Sequence, residues 1–435
     1  MRAFKDSGIE WLGEIPEHWE IKPLKAILNQ RNEQNNNLEL KTILSLVKDI
    51  GVIPYEEKGN IGNKSKDDLQ GYKIARINDL VLNKMNAVIG SLGVSAYNGL
   101  VSPIYLVFYI NNPNYLMGYY SYLFQIKSVQ KFLRTFAYGI MEIRESIDYL
   151  DFKKMFLPTP PLEEQKRIAD FLDSKCAQID NFCEKKQKLI TLLNEKKQSL
   201  INECVTKGLD TNVTFKDSGI EYLGEIPNHW EIKKLKMLFF LGNGLNITKA
   251  DFIPCGIPCV NYGEIHSKYP CRLDLSIHRL PFVSKTHLAN KPQSLLQKGD
   301  FVFADTSEDI EGSGNFTSIQ SNTPIFAGYH TITLKPKNYK INSLYFSFLF
   351  DSVFTRNQIR KGVSGVKVFS ITKSILKEAQ CLIPPLKEQE QIAQFLDSKI
   401  SKIDKIIEKT KKQIKLIKEY KNTLINQAIC GRINL

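Results

Sequence analysis

The chain has 435 residues, of which 43% are hydrophobic and 24% are charged, and its formal net charge is +13. This composition excludes a fibrous or disordered chain and is typical of a globular protein with two or more domains. No apolar stretch reaches the roughly 18 residues of a membrane span, the N-terminus has no apolar signal region, and eight cysteines are too few for a disulfide scaffold. We therefore expect a cytoplasmic protein without a membrane partner, whose positive charge favours nucleic acid.

The first part of the chain begins with the segment FKDSGIEWLGEIPEHWEIKPLK from Phe4. Apolar runs at 80–82 and 104–109 predict strands, and the aromatic segment 115–124 predicts a helix. Polar loops with glycine and basic residues suit the major groove, because Arg and Lys bond guanine edges and Asn bonds adenine. The candidate DNA contacts in these loops are Lys64, Lys66, Lys84, Asn86, Arg134 and Arg144. For any one of them, a solvated loop side chain is the competing interpretation.

A long helix is predicted after Pro160 and Pro161, because about 45 residues follow without another proline. Mostly apolar residues recur at alternating spacings of three and four, which is the signature of a coiled coil. The two interleaved series are Cys176, Cys183, Ile190, Lys197, Cys204 and Ile179, Lys186, Leu193, Leu200. We interpret the three cysteines as small buried hydrophobes rather than ligands or nucleophiles.

The second part of the chain repeats the first. FKDSGIEYLGEIPNHWEIKKLK starts at Phe215, an offset of 211, and PLEEQKRIADFLDSKCAQID from Pro161 recurs from Pro385 as PLKEQEQIAQFLDSKISKID, an offset of 224. The stretch between the markers is therefore 13 residues longer in the second copy and has diverged almost completely. A duplicated enzyme would keep its catalytic residues, whereas a duplicated recognition protein keeps its frame and varies its contacts. The repeat favours recognition.

The second copy carries its own strands and loops. Strands are predicted at 301–303 and 331–334, a helix at 344–354, a polar acidic loop at 306–317 and a basic loop at 356–373. The candidate DNA contacts here are Ser307, Asn315, Arg356, Arg360, Lys361 and Lys367. A second long helix follows Pro384 and Pro385, with Ile400, Ile407 and Ile414 in its seam.

Together these patterns predict an α+β fold. Two α/β recognition domains are separated by two long helices, which pair as an intramolecular antiparallel coiled coil with pseudo-twofold symmetry. The predicted regions are recognition domain 1 (1–157), a central helical region (158–207), recognition domain 2 (208–382) and a C-terminal helical region (383–435).

Two constellations offer chemistry other than recognition. Zinc ligand types occur at Cys255, Cys259, His266, Cys271 and His278, but their spacing fits no common zinc finger and the first copy has no equivalent, so we favour no metal. A nuclease or single-chain restriction enzyme would need a metal–carboxylate cluster, for which only the scattered Asp305, Glu308, Asp309 and Glu311 are available. A coiled-coil scaffold that binds only protein is the other alternative.

The two duplicated motifs, Gly-Glu-Ile-Pro-x-His-Trp-Glu-Ile-Lys-x-Leu-Lys and Pro-Leu-x-Glu-Gln-x-x-Ile-Ala-x-Phe-Leu-Asp, resemble the specificity subunit of type I restriction–modification systems. The resemblance covers essentially the whole chain. It implies a non-catalytic, sequence-specific subunit whose two target-recognition domains each read one half of a bipartite DNA site, with the helices acting as a ruler between the half-sites.

The same resemblance implies the partners. Two methyltransferase subunits dock on the helices and methylate adenine, and restriction subunits join them, while this chain itself binds no cofactor. S-adenosylmethionine, ATP and magnesium are accordingly expected in the partner subunits. We predict docking through residues near the start of each helix: Gln165, Ile168, Phe171 and Leu172, with Gln389, Ile392, Phe395 and Leu396.

Overall fold

The structure is a computed structural model that describes residues 3–48, 50–59, 69–86, 89–138, 146–268, 271–338, 340–365 and 368–435. Each helix in these ranges is either too short or too polar to span a lipid bilayer. The chain divides into two compact units: unit 1 comprises Met1–Lys186 and Lys411–Leu435, and unit 2 comprises Gln187–Thr410. Each unit thus contains one globular domain and one end of each long helix.

Over its described residues, the domain of unit 1 is built from short strands and three short α-helices. The strands are β1 (Phe4–Asp6), β2 (Glu14–Pro16), β3 (Glu20–Pro23), β4 (Asn29–Gln30), β5 (Leu44–Val47), β6 (Gly51–Pro54), β7 (Lys73–Ala75), β8 (Leu80–Asn83), β9 (Leu92–Val94), β10 (Gly99–Val101), β11 (Tyr105–Tyr109), β12 (Ala137–Tyr138), β13 (Ser146–Ile147) and β14 (Phe156–Thr159). The helices are α1 (Met117–Gln125), α2 (Lys127–Phe132) and α3 (Tyr149–Phe152), and the long helix α4 (Leu162–Lys207) follows.

The main sheet of unit 1 has the strand order β4-β11-β8-β9 and is antiparallel. Leu80 and Leu82 of β8 and Phe108 of β11 are fully buried and pack with the aromatic residues of α1 in one core. The predicted strands and the aromatic helix of this half are therefore present, and the aromatic residues belong to the core. Two further pairs, β5-β6 and β10-β7, surround a smaller apolar cluster.

The domain of unit 2 repeats this plan with additions. Its strands are β15 (Phe215–Asp217), β16 (Glu225–Pro227), β17 (Glu231–Lys234), β18 (Phe239–Asn243), β19 (Ile257–Val260), β20 (Cys271–Leu273), β21 (Phe282–Val283), β22 (Leu295–Leu296), β23 (Phe301–Ala304), β24 (Thr306–Ser307), β25 (Phe316–Ile319), β26 (Ile325–Ala327), β27 (Thr331–Pro336), β28 (Phe369–Ser370) and β29 (Gln380–Ile383). Its helices are α5 (Leu235–Leu238), α6 (Tyr262–Ser267), α7 (His287–Asn290), α8 (Ser343–Asp351), α9 (Val353–Gly362) and α10 (Lys373–Glu378), and the long helix α11 (Leu386–Ile429) follows.

The sheet order β18-β27-β23-β25-β20 of unit 2 contains the same four-strand arrangement as unit 1. A second sheet, β21-β19-β26-β22, packs beside it around its own apolar cluster.

One prediction for unit 2 is wrong: the basic segment 356–373 is not a loop throughout, since Arg356 and Arg360 lie on α9. The Ser352 side chain caps this helix by accepting a hydrogen bond from Thr355 N. Strand β19 ends at Val260, and helix α6 begins two residues later, at Tyr262.

The two long helices pair antiparallel within each unit. In unit 1, Lys421 of α11 forms an ion pair with Asp180 of α4, while the start of α4 and the end of α11 both meet Trp19. In unit 2, Lys197 pairs with Asp404, and Gly208 after α4 lies beside Glu388 at the start of α11. The predicted coiled coil is confirmed, and two lysines on the facing sides of the helices, Lys197 and Lys421, are each neutralised by an aspartate of the opposite helix.

The seam cysteines behave as packing residues. Cys176 and Cys204 are buried between apolar neighbours, and Cys183 is half-buried. Burial raises the pKa of the Cys204 thiol to about 11 and also raises the pKa of Cys176. Because the thiolate is the reactive form, these side chains act as small hydrophobes.

The repeated motifs interlock in the same way in both units. In unit 1, Trp19 Nε1 donates to Glu164 at 3.0 Å, His18 lies 2.6 Å from the same carboxylate, and Gly431 packs on the indole. The equivalent contacts in unit 2 join Trp230 to Glu388 at 3.1 Å, His229 to Glu388 at 2.7 Å, and Gly208 to the Trp230 ring. Both indoles are fully buried. The frame that the sequence repeats is therefore a joint between domain and helices.

Candidate nucleic-acid interface

In unit 1, the loop after β8 presents two of the predicted contacts. The Asn83 side chain accepts a hydrogen bond from Met85 N, and the Lys84 carbonyl accepts one from Ile147 N, so the backbone of this turn is held in place. Asn86 is exposed and Lys84 is half-exposed. The turn therefore offers one amide and one ammonium group to a ligand.

A lysine that sequence reasoning missed lies near this turn. Lys73 of β7 donates to the Tyr105 carbonyl at 2.7 Å. Burial lowers the pKa of Lys73, and the positive charge of Lys84 lowers it further. The sequence gives little indication of this contact, because Lys73 lies within a short strand and not in a basic loop. Arg134 is exposed on a turn of 3₁₀ helix, whereas Lys64, Lys66 and Arg144 lie outside the described residues.

In unit 2, the predicted contacts mostly bind other parts of the same domain. Arg356 donates to Asn315 at 2.9 Å and to Asp351 at 2.9 Å. The Asn315 amide in turn donates to His266 Nδ1 at 2.9 Å, and His266 Nε2 donates to the Thr306 carbonyl at 2.8 Å. This chain of bonds joins α9, α6 and the loop that follows β24.

Two further predicted residues contact the loop that follows β24. Arg360 donates to the Glu311 carbonyl, and burial, followed by the nearby charge of Arg356, lowers the pKa of its guanidinium. Ser307 is buried on β24. These side chains set the shape of the loop. Lys361, at the end of α9, is exposed, and Lys367 lies outside the described residues.

A polar cleft beside this network has a volume of about 1010 Å³. On its edge, Asn246 is exposed between the buried Leu245 and Ile247, so the backbone there is anchored while the amide faces outwards. Lys291 and Gln293, also exposed, line the cleft after α7. The further lining residues are Asn243, Gly244, Thr248, Lys249, Tyr262, Ser294, Asp305, Gly328, Tyr329, His330 and Thr331.

Aromatic rings form part of the cleft. The rings of Tyr262 and Tyr329 are 5.6 Å apart, and His330 lies 5.4 Å from Tyr262 and within 3.2 Å of the Asp305 carboxylate. Amide and ammonium groups on a rigid edge are the groups that read base edges. The alternation of polar and apolar residues at 243–249 could have indicated this edge, but no local pattern joins it to Lys291.

Several of the candidate metal and nuclease residues form hydrogen bonds with other parts of the chain. Within the described ranges, no three His, Cys, Asp or Glu residues are placed to hold a metal ion. His266 has both ring nitrogens in the network above, and His278 Nδ1 accepts from Asp274 N at 3.1 Å. Asp309 accepts from Gly312 N, which is an ordinary turn contact.

The predicted docking residues at the start of the helices are largely engaged inside the chain. Gln165 accepts from Leu116 N at 2.8 Å and donates to the carbonyls of Asn114 and Pro160. Gln389 makes the equivalent three bonds with Asn342, Lys340 and Pro384. The buried apolar residues of this set are Ile168, Leu172, Ile392 and Leu396, and the half-exposed ones are Phe171 and Phe395.

Other apolar side chains of the helices face solvent. In unit 1 these are Phe182, Leu416 and Tyr420, and in unit 2 they are Leu189, Leu192 and Ile406. They flank the coiled-coil seam rather than occupy it. Exposed apolar residues concentrated along a helix are typical of a surface that a partner covers.

Comparison with known proteins identifies the family. A sequence profile described as "Type I restriction modification DNA specificity domain" matches residues 16–194 and 227–416. The "Type I restriction enzyme MjaVIII specificity subunit" of Methanocaldococcus jannaschii is 28% identical over 325 residues, covering 72% of this chain and 70% of that protein. The "Putative type I restriction enzyme MjaX specificity subunit" of the same organism is 26% identical, covering 98% of this chain and 96% of that protein.

Solved structures show the same fold. A chain from work described as the structural basis of complex assembly and conformational transition of the type I R-M system superimposes with a TM-score of 0.72 and 14% identity, covering 96% of this chain and 99% of that one. The HsdS subunit from Thermoanaerobacter tengcongensis gives a TM-score of 0.53 with 13% identity, over 98% of this chain and all of that one. With a profile match over most of its length, this chain belongs to the specificity subunits of type I restriction–modification systems, the non-catalytic components that recognise the DNA sequence.

Proposed function

We propose that each unit of this chain reads one half of a bipartite, non-palindromic site in double-stranded DNA. The supporting observation is that each unit has the same joint between its domain and the helices, Trp19–Glu164 in unit 1 and Trp230–Glu388 in unit 2. The proposed reading surfaces of the two units, in contrast, differ in residues and in architecture. A frame held constant beneath two different surfaces suits a protein that recognises two different sequences.

In unit 1, the proposed base contacts are Lys84 and Asn86, supported by Arg134 and by Lys73. Lys64, Lys66 and Arg144 remain part of the proposal on the strength of the sequence alone. An amide bonds adenine and an ammonium group bonds guanine, so this surface has the donors that base readout needs.

In unit 2, the proposed reading surface is the cleft beside Asn246, Lys291 and Gln293, together with Lys361 and Lys367. Ser307, Asn315, Arg356 and Arg360 have the supporting role of holding the adjoining loop. A base-reading surface needs such a fixed second layer, because a displacement of a few tenths of an ångström weakens bidentate hydrogen bonds.

The partners are two methyltransferase subunits, with restriction subunits joining the complex. The methyltransferases cover the exposed apolar residues of the helices, among them Phe182, Leu189 and Tyr420, and reach the half-exposed Phe171 and Phe395. They supply S-adenosylmethionine chemistry, and the restriction subunits supply ATP and magnesium chemistry. This division agrees with the role of a recognition component.

The test is a selection from random duplex DNA with this chain and its methyltransferase together. The proposal predicts enrichment of two short conserved blocks separated by a gap of fixed length and free sequence. Enrichment of one contiguous block would contradict it. Magnesium-dependent cutting by the chain alone would favour a nuclease, and loss of all sequence preference would favour a protein-binding scaffold.

A further inference from the structure

One face of α11 in unit 1 carries three lysines. Lys411, Lys415 and Lys418 are four and three residues apart, so they lie on the same side of the helix, and all three are exposed. Within the part of the chain that the structure describes, Lys411 and Lys418 form no ion pair, and Lys415 only approaches the exposed Glu419 at 4.0 Å. We refer to these three residues as the lysine row. Like charges at this spacing destabilise a helix unless a negative group lies nearby.

The lysine row has no equivalent in the other copy of the internal repeat. At the offset of 224 residues, the equivalent positions of α4 are Gln187, Thr191 and Asn194, none of which is charged. The frame residues, by contrast, are kept in both copies, as Gln165 and Gln389 show. The lysine row is therefore unnecessary for pairing the helices. A partner that binds both copies equivalently would not require it either.

The lysine row borders a cleft of unit 1 with a volume of about 650 Å³. Lys415 and Lys418 line one wall, and the exposed Lys127 at the start of α2 lines the other. The floor includes bare backbone at Gly93, where a Cβ atom would lie only 2.9 Å from the Cα atom of Gly51. Asp180 and Glu419 also line the cleft, but Asp180 is already paired with Lys421, and Glu419 offsets only one of the three lysines. The cleft thus has an excess of positive charge.

The corresponding cleft of unit 2 lacks this excess. It lies between α8, α4 and α11, and its cationic side chains are paired: Lys197 with Asp404, Arg272 with Asp397 and Arg356 with Asp351. Lys405 and Glu408 complete its charges. The two clefts therefore differ in charge, although the two units have the same arrangement of helices.

We propose that the unit 1 cleft holds the phosphate backbone of duplex DNA beside the half-site that unit 1 reads, through Lys127, Lys415 and Lys418, with Lys411 extending the contact. This inference rests on the proposed function, because it needs DNA bound to unit 1. Lysine is a compact point charge that suits phosphate oxygens. The contact is independent of base sequence, and it makes the chain hold the two ends of its site unequally.

The test compares two triple variants in complex with the methyltransferase. K411Q/K415Q/K418Q removes the lysine row, and K402Q/K405Q/K409Q removes three other exposed lysines from the same helix. The dissociation constant for target DNA is measured from about 50 to 200 mM salt. Each lost phosphate contact makes the slope of log K against the logarithm of the salt concentration shallower by about 0.9. The slope of the first variant should therefore be shallower by about 2 to 3, and the slope of the control variant should not change. Both variants should select the same half-sites as the unchanged chain.

An unchanged slope in the first variant, or equal losses in both, would overturn the inference. Loss of the methyltransferase from the first variant in size-exclusion chromatography, with the slope intact, would assign the lysine row to protein docking and overturn it as well. Failure of the proposed function would be seen separately, as a lack of sequence preference in the unchanged complex. Because all six lysines are exposed, neither variant should lower the melting temperature measured by circular dichroism.

Discussion

The indole Nε1 of Trp19 donates a hydrogen bond to the carboxylate of Glu164 at 3.0 Å, and this bond joins the two repeated motifs of unit 1. Trp19 comes from the motif that opens the domain, and Glu164 comes from the first turn of α4. The indole is fully buried, so its N–H has no access to water if the carboxylate is removed. The unit 2 pair Trp230–Glu388 has the same geometry.

Replacement of Glu164 or Glu388 should destabilise the unit to which it belongs. E164A leaves a buried N–H unsatisfied and should lower the free energy of unfolding by about 2 kcal/mol, and E388A should have a similar effect in unit 2. Urea denaturation with hydrogen exchange read separately in each unit measures the effect. E163A, one residue away and exposed, is the control. If E164A were as harmless as E163A, the joint would be dispensable.

A buried ion pair holds the turn that leads into β8. Asp79 is buried and receives two hydrogen bonds from Arg31, at 2.6 and 3.0 Å, and one from Arg76 N. D79A would remove the buried charge partner of the Arg31 guanidinium and leave it only the exposed Glu33, so it should cost about 3 kcal/mol of unfolding free energy. E33A, which removes an exposed partner of the same arginine, should cost less than about 1 kcal/mol. Comparable losses in the two variants would show that burial does not govern this pair.

The pH dependence of unit 2 should reflect Asp300. Burial raises the pKa of this carboxyl group above its usual range, although Gln297 N donates a hydrogen bond to it at 2.9 Å. The folded state therefore binds the proton more tightly than the unfolded state, and stability falls as pH rises from the ordinary value near about 4 through the raised one. D300N removes this loss, so the variant should be more stable than the unchanged chain at pH 7.

The advantage of D300N should vanish on acidification, because the unchanged carboxyl is then protonated. Urea midpoints at pH 7 and below pH 4 measure the difference. An advantage that is equal at both pH values would mean that packing, and not ionisation, explains the variant. D274N serves as a control of opposite sign, since hydrogen bonds from Ser276 lower the pKa of Asp274.

The cleft of unit 2 yields a prediction about specificity. N246A and K291A should each weaken discrimination at one position of one half-site by about 10- to 100-fold, because a good base contact contributes about 1–3 kcal/mol. The other half-site should be read as before. N338A, an exposed asparagine outside the cleft, is the matched control. Binding to a panel of single-base variants of the target measures the effect, and equal losses at every position would contradict direct readout.

The frame was predictable from sequence, but much of the candidate site was not. The heptads and the repeated motifs predicted both long helices, because these patterns are local and occur twice. Arg356 and Arg360 were mistaken for loop residues, since helix α9 depends on the Ser352 cap and on burial of Phe354 and Ile359. A basic composition alone does not reveal these determinants.

The polar contacts show the same limit more sharply. Gln165 was expected to meet a partner, yet its amide bonds the carbonyl of Asn114, which is 51 residues away. The unit 2 cleft combines Asn246 with Lys291, and no periodic pattern connects residues so far apart. Pairings of this kind arise from the tertiary fold, which a single sequence does not display.

The central claim, that each unit reads its own half-site, is tested most directly by exchange of one domain. Residues 17–155 are replaced by the equivalent domain of another specificity subunit, and methylated positions are mapped across the genome of cells carrying either chain. The account predicts that one half of the methylated site changes while the other half stays the same. A change in both halves, or in neither, would contradict it.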